Sequence, residues 1–171
     1  MIKNFKIQNT KLKIDTNNFF KNKFKVKSFP RSYDVEFINN SKKFNKYLNS
    51  SECVILIDAN IYKKYYSKKI IKNKKLIKID AKEKNKNLNT TNQILDFFVK
   101  HNVSKSNKII AIGGGIIQDL AGYASLVYKR GLHWEYVPTT FLGMTDSCVG
   151  GKVGINYGEA KNLAGLFSAP R

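Results

Sequence analysis

A chain of 171 residues with 42% hydrophobic content can build one ordinary domain with its own core, and no apolar run approaches the roughly 20 residues of a membrane helix. Two cysteines, Cys53 and Cys148, cannot form a disulfide framework, no Cys/His cluster has zinc-ligand spacing, and the Lys/Asn-rich start lacks an apolar export signal, so the expectation is a cytoplasmic protein with no membrane partner. The formal charge of +19 suggests a polyanionic partner, but residues 1–110 carry 26 Lys+Arg against 8 Asp+Glu, residues 111–171 only 5 against 4, and Arg is confined to Arg31, Arg130 and Arg171; scattered lysine of this kind reads as a solvated surface with no nucleic-acid partner.

Residues 1–30 are polar and Lys/Asn-rich with scattered Phe, end at Pro30, and read as a basic, weakly ordered extension; residues 31–171 read as the folded domain. The span 34–38 alternates like a half-exposed strand, and 54–57, 76–79 and 109–112 read as buried strands. Residues 91–101 put Ile94, Leu95 and Phe98 on one helical face, with Asn89 and Thr90 as candidate caps. A second helix is expected over 116–128 and a further strand over 134–137. Strand and helix in turn imply an α/β fold, Rossmann-like, with a mainly parallel sheet, right-handed crossovers and flanking helices.

Open parallel sheets bind ligands beyond the carboxyl ends of their strands, and polar or glycine-rich segments recur there. Asp58 and Asn60 follow the first buried strand, Asp80 and Glu83 the second, Gly113-Gly114-Gly115 the third, and Pro138-Thr139-Thr140 the next. Three glycines between a strand and a helix let a diphosphate approach the backbone and the free N–H groups of the helix start. The same glycines also suit a tight turn or close packing, as do Ala121, Gly122, Ala124 and Ser125 in the helix behind them. Asp119, in the first turn, either complements the helix dipole or bonds a ribose or nicotinamide.

The stretch 137–162 concentrates polar chemistry where net charge is nearly balanced: the hydroxyls of Thr139 and Thr140, the carboxylate of Asp146, the ammonium groups of Lys152 and Lys161, and the carboxamides of Asn156 and Asn162. A lysine on a glycine-rich loop offers a phosphate monoester a point charge with several donors. Either lysine alone reads more simply as a solvated surface group, and the occurrence of two beside glycine or asparagine in one short stretch weakens that reading.

The run G-G-G-I-I-Q-D-L-A-G-Y-A from Gly113, then Y-K-R-G from Tyr128, V-P-T-T from Val137, D-S-C-V-G-G-K from Asp146 and Lys161-Asn162 resembles 3-dehydroquinate synthase, a sugar-phosphate cyclase. Weaker likenesses are Glu83 and Lys86 to the family's E-x-x-K and Asp58-Ala59-Asn60-Ile61 to its D-x-N-V, so the resemblance covers about residues 33–171. It implies an NAD-dependent lyase that cyclises 3-deoxy-arabino-heptulosonate 7-phosphate with loss of phosphate, in the shikimate route to aromatic amino acids. By matching position, Asp58, Asn60, Glu83, Lys86, Gly113, Gly114, Gly115, Asp119, Thr139 and Thr140 would contact NAD. Asp146, Lys152, Lys161, Asn162 and Arg130 would surround the sugar phosphate, with Lys152 and Lys161 also on the nicotinamide side and Arg130 reaching across a homodimer interface.

Several positions depart from the family pattern: Cys148 stands for a serine, Val153 for a threonine, Gln118 for a glycine, and Tyr157-Gly158-Glu159-Ala160 precedes Lys-Asn. These spare the charged residues and leave related cyclases, acting on sedoheptulose 7-phosphate or glucose 6-phosphate, as alternatives. The family's helical C-terminal domain, whose Glu and two His bind zinc or cobalt, would begin after Arg171; His101 and His133 lie outside the matching motifs, so no metal ligand is expected here. The chain is then a truncated product, one half of a split enzyme, or a non-catalytic module that binds NAD or sugar phosphate, and as a fragment it is expected to be inactive.

Overall fold

The computed structural model describes residues 2–7, 10–15, 22–27, 31–66 and 70–170. Its centre is a four-stranded parallel sheet made from β5 (Cys53–Asp58), β6 (Leu76–Ile79), β7 (Lys108–Gly113) and β8 (His133–Pro138), in the order β6-β5-β7-β8. The uninterrupted apolar runs of β5 and β7 occupy the two central places, where both faces are covered. The edge strand β6, expected to be buried, buries only Ile79 because one side of it has no neighbour.

Alternation along each strand feeds two cores. Val54, Leu56, Ile109, Ala111 and Trp134 pack with Ile94 and Phe98 of helix α3 (Leu88–Lys100) and with Ile117 and Leu120 of α4 (Gly115–Val127). On the opposite face Ile55, Ile57, Ile110 and Ile112 meet Phe44 and Leu48 of α1 (Ser41–Leu48) and Ile61 and Tyr62 of α2 (Ala59–Tyr65). The result is the Rossmann-like sandwich that the alternating pattern implies. Helices α1 and α2 were not anticipated, and α3 is capped by Asn87, whose carboxamide oxygen accepts from Thr90 N–H at 3.0 Å, rather than by Asn89 or Thr90, which fall inside its first turn.

Among the described residues, three antiparallel pairs stand outside this sheet. The described residues within 1–30, expected as a weakly ordered arm, include β1 (Ile2–Ile7), which pairs with β2 (Thr10–Asp15), and β3 (Lys23–Val26), which pairs with β4 (Tyr33–Glu36) of the following segment. The glycine-rich stretch after residue 151 is a hairpin of β9 (Lys152–Tyr157) and β10 (Ala160–Phe167), whose Val153 and Ile155 are buried in the core shared with α4. Among the described residues no helix is long and apolar enough to cross a membrane.

Candidate functional site

Register places the strand ends level: Asp58 lies opposite Ile79, Ile57 opposite Ile112, and Gly113 opposite Pro138. The polar segments therefore emerge along one edge of the sheet, as a parallel arrangement requires. The three glycines there serve different ends. A Cβ on Gly113 would lie 2.5 Å from Ile117 Cγ1, so this glycine allows helix α4 to close onto its strand. A Cβ on Gly114 would press on Thr140 Cγ2 at 3.1 Å, whereas one on Gly115 would meet only Ser147 Oγ, at 3.8 Å. Gly115 thus opens toward free space, and α4 begins there without a side-chain cap, leaving the N–H groups of its first turn for an anion.

That space is a cavity of about 450 Å³ whose lining includes Gly115, Gln118, Asp119, Asp146, Ser147 and Lys152. Gln118 forms part of its wall: its side chain is buried and donates from Nε2 to the Ser147 carbonyl at 2.7 Å, tying α4 to the helical turn Gly143–Ser147. Thr140 Oγ1 accepts from Gly143 N–H at 3.0 Å and starts that turn. Thr139 N–H donates to the Gly113 carbonyl at 2.9 Å, while its buried hydroxyl has no hydrogen-bond partner among the described residues. Tyr136 donates to the same carbonyl at 3.2 Å, and burial pushes its phenol up to about 12.

A second group joins the hairpin to the sheet edge. The buried Lys86 donates from Nζ to Asp119 Oδ2 at 2.9 Å and also to Asn162 Oδ1. Asp119 Oδ1 accepts from Gly154 N–H at 3.1 Å. Asn156 donates from Nδ2 to Glu83 Oε1 at 2.8 Å, and its Oδ1 accepts from Asn162 N–H at 2.9 Å. Burial raises the Asp119 carboxyl above the usual carboxylate range, and the Lys86 and Gly154 contacts offset only part of that.

Other expected site residues do not line the cavity. Asp58 caps α2 by accepting from Asn60 N–H at 2.7 Å, and Asn60 itself is exposed. Lys152 pairs with Phe167 at one end of the hairpin and Tyr157 with Ala160 at the other, so on the order of 15 Å of strand, at about 3.3 Å per residue, separates Lys152 from Lys161. Arg130 is exposed just beyond the C-terminus of α4, about 20 Å from Gly115 by the ~1.5 Å rise of a helix, and does not join the cavity of its own chain. His101 is the C-cap of α3 and His133 opens β8; among the described residues no three His, Cys, Asp or Glu side chains gather as a metal site.

Sequence reasoning passed over Tyr33, whose hydroxyl donates to the Cys148 carbonyl and accepts from Gly150 N–H, both at 2.8 Å, and over Ser147 and Phe167 in the cavity wall. None of the three carried a signal of its own, whereas Gln118, also in that wall, stood out by replacing a glycine of the family pattern.

The family model described as 3-dehydroquinate synthase N-terminal matches residues 76–171. The 3-dehydroquinate synthase of Pelagibacter ubique is 38% identical over 158 residues, 86% of this chain and 43% of its own length; that of Clostridium tetani is 40% identical over 129 residues, 73% of this chain and 35% of its own. The chain therefore spans less than half the length of these curated relatives. Among solved structures, 2-deoxy-scyllo-inosose synthase with carbaglucose-6-phosphate, NAD+ and Co2+ superposes with a TM-score of 0.72 at 23% identity, over 87% of this chain and 44% of the other, and shows a shared fold. The 2-epi-5-epi-valiolone synthase of Streptomyces hygroscopicus subsp. jinggangensis, with NAD+ and Zn2+, matches with a TM-score of 0.64 at 28% identity, over 70% of this chain and 36% of the other. With the family model covering more than half of it, the chain belongs to the 3-dehydroquinate synthase N-terminal family.

Proposed function

We propose that this chain is the nucleotide-binding part of a 3-dehydroquinate synthase, holding NAD across Gly114 and Gly115 and a sugar phosphate in the adjoining cavity. The observation that carries this reading is the uncapped start of α4, which opens through Gly115 onto a space also lined by Asp119, Asp146 and Lys152. An anion belongs at the first of these features and a phosphate monoester near the last. The relatives named 3-dehydroquinate synthase support the substrate that the motif resemblance implies, 3-deoxy-arabino-heptulosonate 7-phosphate, over sedoheptulose 7-phosphate or glucose 6-phosphate.

NAD, when bound, supplies a hydride acceptor that is restored within the same turnover. The residues of the chain bind and orient around it. Thr139 offers an unused hydroxyl, Asp58 retains a carboxylate oxygen for a ribose, and Asn60, Glu83 and Thr140 border the same edge. Lys86 and Asp119 meet the cofactor as a neutralised pair rather than as separate charges. Lys152 holds the phosphate, and the Asp146 carboxylate lines the same cavity as a hydrogen-bond acceptor for the sugar. Lys161, toward the far end of the hairpin, serves the nicotinamide side, Asn162, bonded to Lys86, borders the substrate, and Arg130 serves a site only in a neighbouring subunit of a homodimer.

The zinc or cobalt expected for the reaction finds no ligand set among the described residues. Phe141, Leu142, Val149, Leu163, Leu166 and Phe167 stand 44–83% exposed on the turn and hairpin that wall the cavity, a surface suited to a further polypeptide part that covers the site and supplies the metal. A phosphate-release assay on 3-deoxy-arabino-heptulosonate 7-phosphate tests the whole reading. Losing a Lewis acid and one wall of the site costs several kcal/mol, on the order of a thousandfold in rate. The chain with NAD should release no phosphate above background and should gain chelator-sensitive release when mixed with the remaining part of the Pelagibacter relative. Metal-dependent release by the chain alone would contradict this account.

A further inference from the structure

The β3–β4 pair lies outside the parallel sheet, yet one of its side chains reaches the cavity wall. Tyr33 is 4% exposed, and its single hydroxyl bonds both ends of one short turn: it donates to the Cys148 carbonyl at 2.8 Å and accepts from Gly150 N–H at 2.8 Å. Two residues earlier, Arg31 donates from Nη2 to the Ala169 carbonyl at 2.7 Å. The same short segment therefore grips the chain on either side of the β9–β10 hairpin.

The turn needs such a grip. Gly150 sits at φ +147°, a conformation natural to glycine and one with many alternatives close in energy. The peptides it joins carry cavity-lining residues on both sides, Asp146 and Ser147 before it and Gly151 and Lys152 after it. A phenol is protonated at neutral pH and burial pushes that of Tyr33 higher still, so the hydroxyl has the proton that the bond to Cys148 requires.

We propose that Tyr33 is a positioning residue for the anion-binding wall of the cavity: by clamping Cys148 to Gly150 it sets where Lys152 and Asp146 stand, and so governs affinity for the phosphate of the substrate without touching the nucleotide. The inference rests on the reading of Lys152 as the phosphate-binding group. Its physical basis is preorganisation. Without the hydroxyl, a carbonyl and an N–H lose their partner, the turn samples other geometries, and the anion must order it on binding.

Tyr33→Phe keeps the packed ring and removes both bonds. Site-resolved hydrogen exchange should show the Gly150 amide exchanging about tenfold faster in the variant, the size expected for one lost hydrogen bond, with the Gly154 amide, held by Asp119, unchanged. Calorimetric titration with NAD and with inorganic phosphate should show NAD affinity within about twofold of wild type and phosphate affinity about tenfold weaker. Equal Gly150 exchange overturns the clamp whichever ligands bind. Equal phosphate affinity, or a matching loss for NAD, overturns the positioning role. A folded wild type that binds neither ligand overturns the functional reading and the ligand half of this inference together, while exchange at Gly150 still decides the clamp. If Tyr33→Phe unfolds, 3-fluorotyrosine placed at position 33 retains both bonds; its fluorine resonance should move on adding phosphate and not on adding NAD, and the reverse pattern overturns the inference.

Discussion

Replacing Lys86 by Met removes one partner of an ion pair in which the side chains are only 7% and 20% exposed and 2.9 Å apart. Breaking a buried pair typically costs 3–5 kcal/mol because the remaining charge is left without compensation. Here the remaining group is the Asp119 carboxylate, which keeps the Gly154 N–H, is one-fifth exposed and can take up a proton, so the expected loss is about 2–3 kcal/mol. With a urea dependence of about 2 kcal/mol per molar, the unfolding midpoint should fall by about 1 M. Adding Asp119→Leu removes the stranded charge and should bring stability back to within about 1–2 kcal/mol of wild type, the remainder coming from the unpaired Gly154 N–H and from the Asn162 carboxamide oxygen that loses its Lys86 donor. The penalty for Lys86→Met alone should also shrink at acid pH, where Asp119 becomes neutral. Urea titrations of the wild type, both single variants and the double variant measure the coupling directly. A single variant within about 0.5 kcal/mol of wild type, or a double variant no better than the single, would refute the reasoning.

Asp119 also makes stability depend on pH. Its carboxyl is raised from the ordinary 3.8, so from that value upward the folded chain holds a proton that the unfolded chain has released, and stability falls as pH rises through this window. In parallel urea titrations, the stability of the wild type relative to Asp119→Asn should therefore decline as pH climbs from below 4; a rising difference would reverse the sign of the argument. Gly122 permits the contact between α4 and β9, since a Cβ there would lie 2.5 Å from Val153 Cγ1 and 3.1 Å from Trp134 Cζ2. Gly122→Val should cost about 1–3 kcal/mol by overpacking, read as a lower melting temperature, and an unchanged melt would show that the hairpin is not pressed on the helix as described.

The central strands were legible because their apolar runs lie where a parallel sheet is covered on both faces. Burial cannot announce α1 or α2 in the same way: α1 buries only Leu48 and α2 buries no residue. The β9–β10 hairpin escaped for a related reason. Seven of the eight residues of β10 are exposed and glycines interrupt the pattern, so its extended form is fixed by backbone pairing with β9 and not by any hydrophobic period. Asp146, Lys152, Gly115 and Asp119 were all picked out by residue type and motif, and the fold brings them to one cavity. Motif order gave no sense of distance, however: Arg130 follows the glycines closely in the chain, but a whole helix intervenes, and Lys161 follows Lys152 closely, but a strand does. The Tyr33 bonds span 115 and 117 residues and join two segments with no common local pattern, so no reading of neighbours could reveal them.

The claim that α4 and its glycines receive a dinucleotide is tested most directly at Gly115, where a Cβ would meet nothing closer than 3.8 Å and added bulk should fill the site without straining the fold. Calorimetric titration of NAD into the wild type and into Gly115→Val, with melting curves to confirm that both are folded, is the decisive measurement. The account predicts one NAD per chain in the wild type and at least about tenfold weaker binding in the variant, with little change in melting temperature. Equal affinity in two folded proteins, or no binding by the folded wild type, would contradict it.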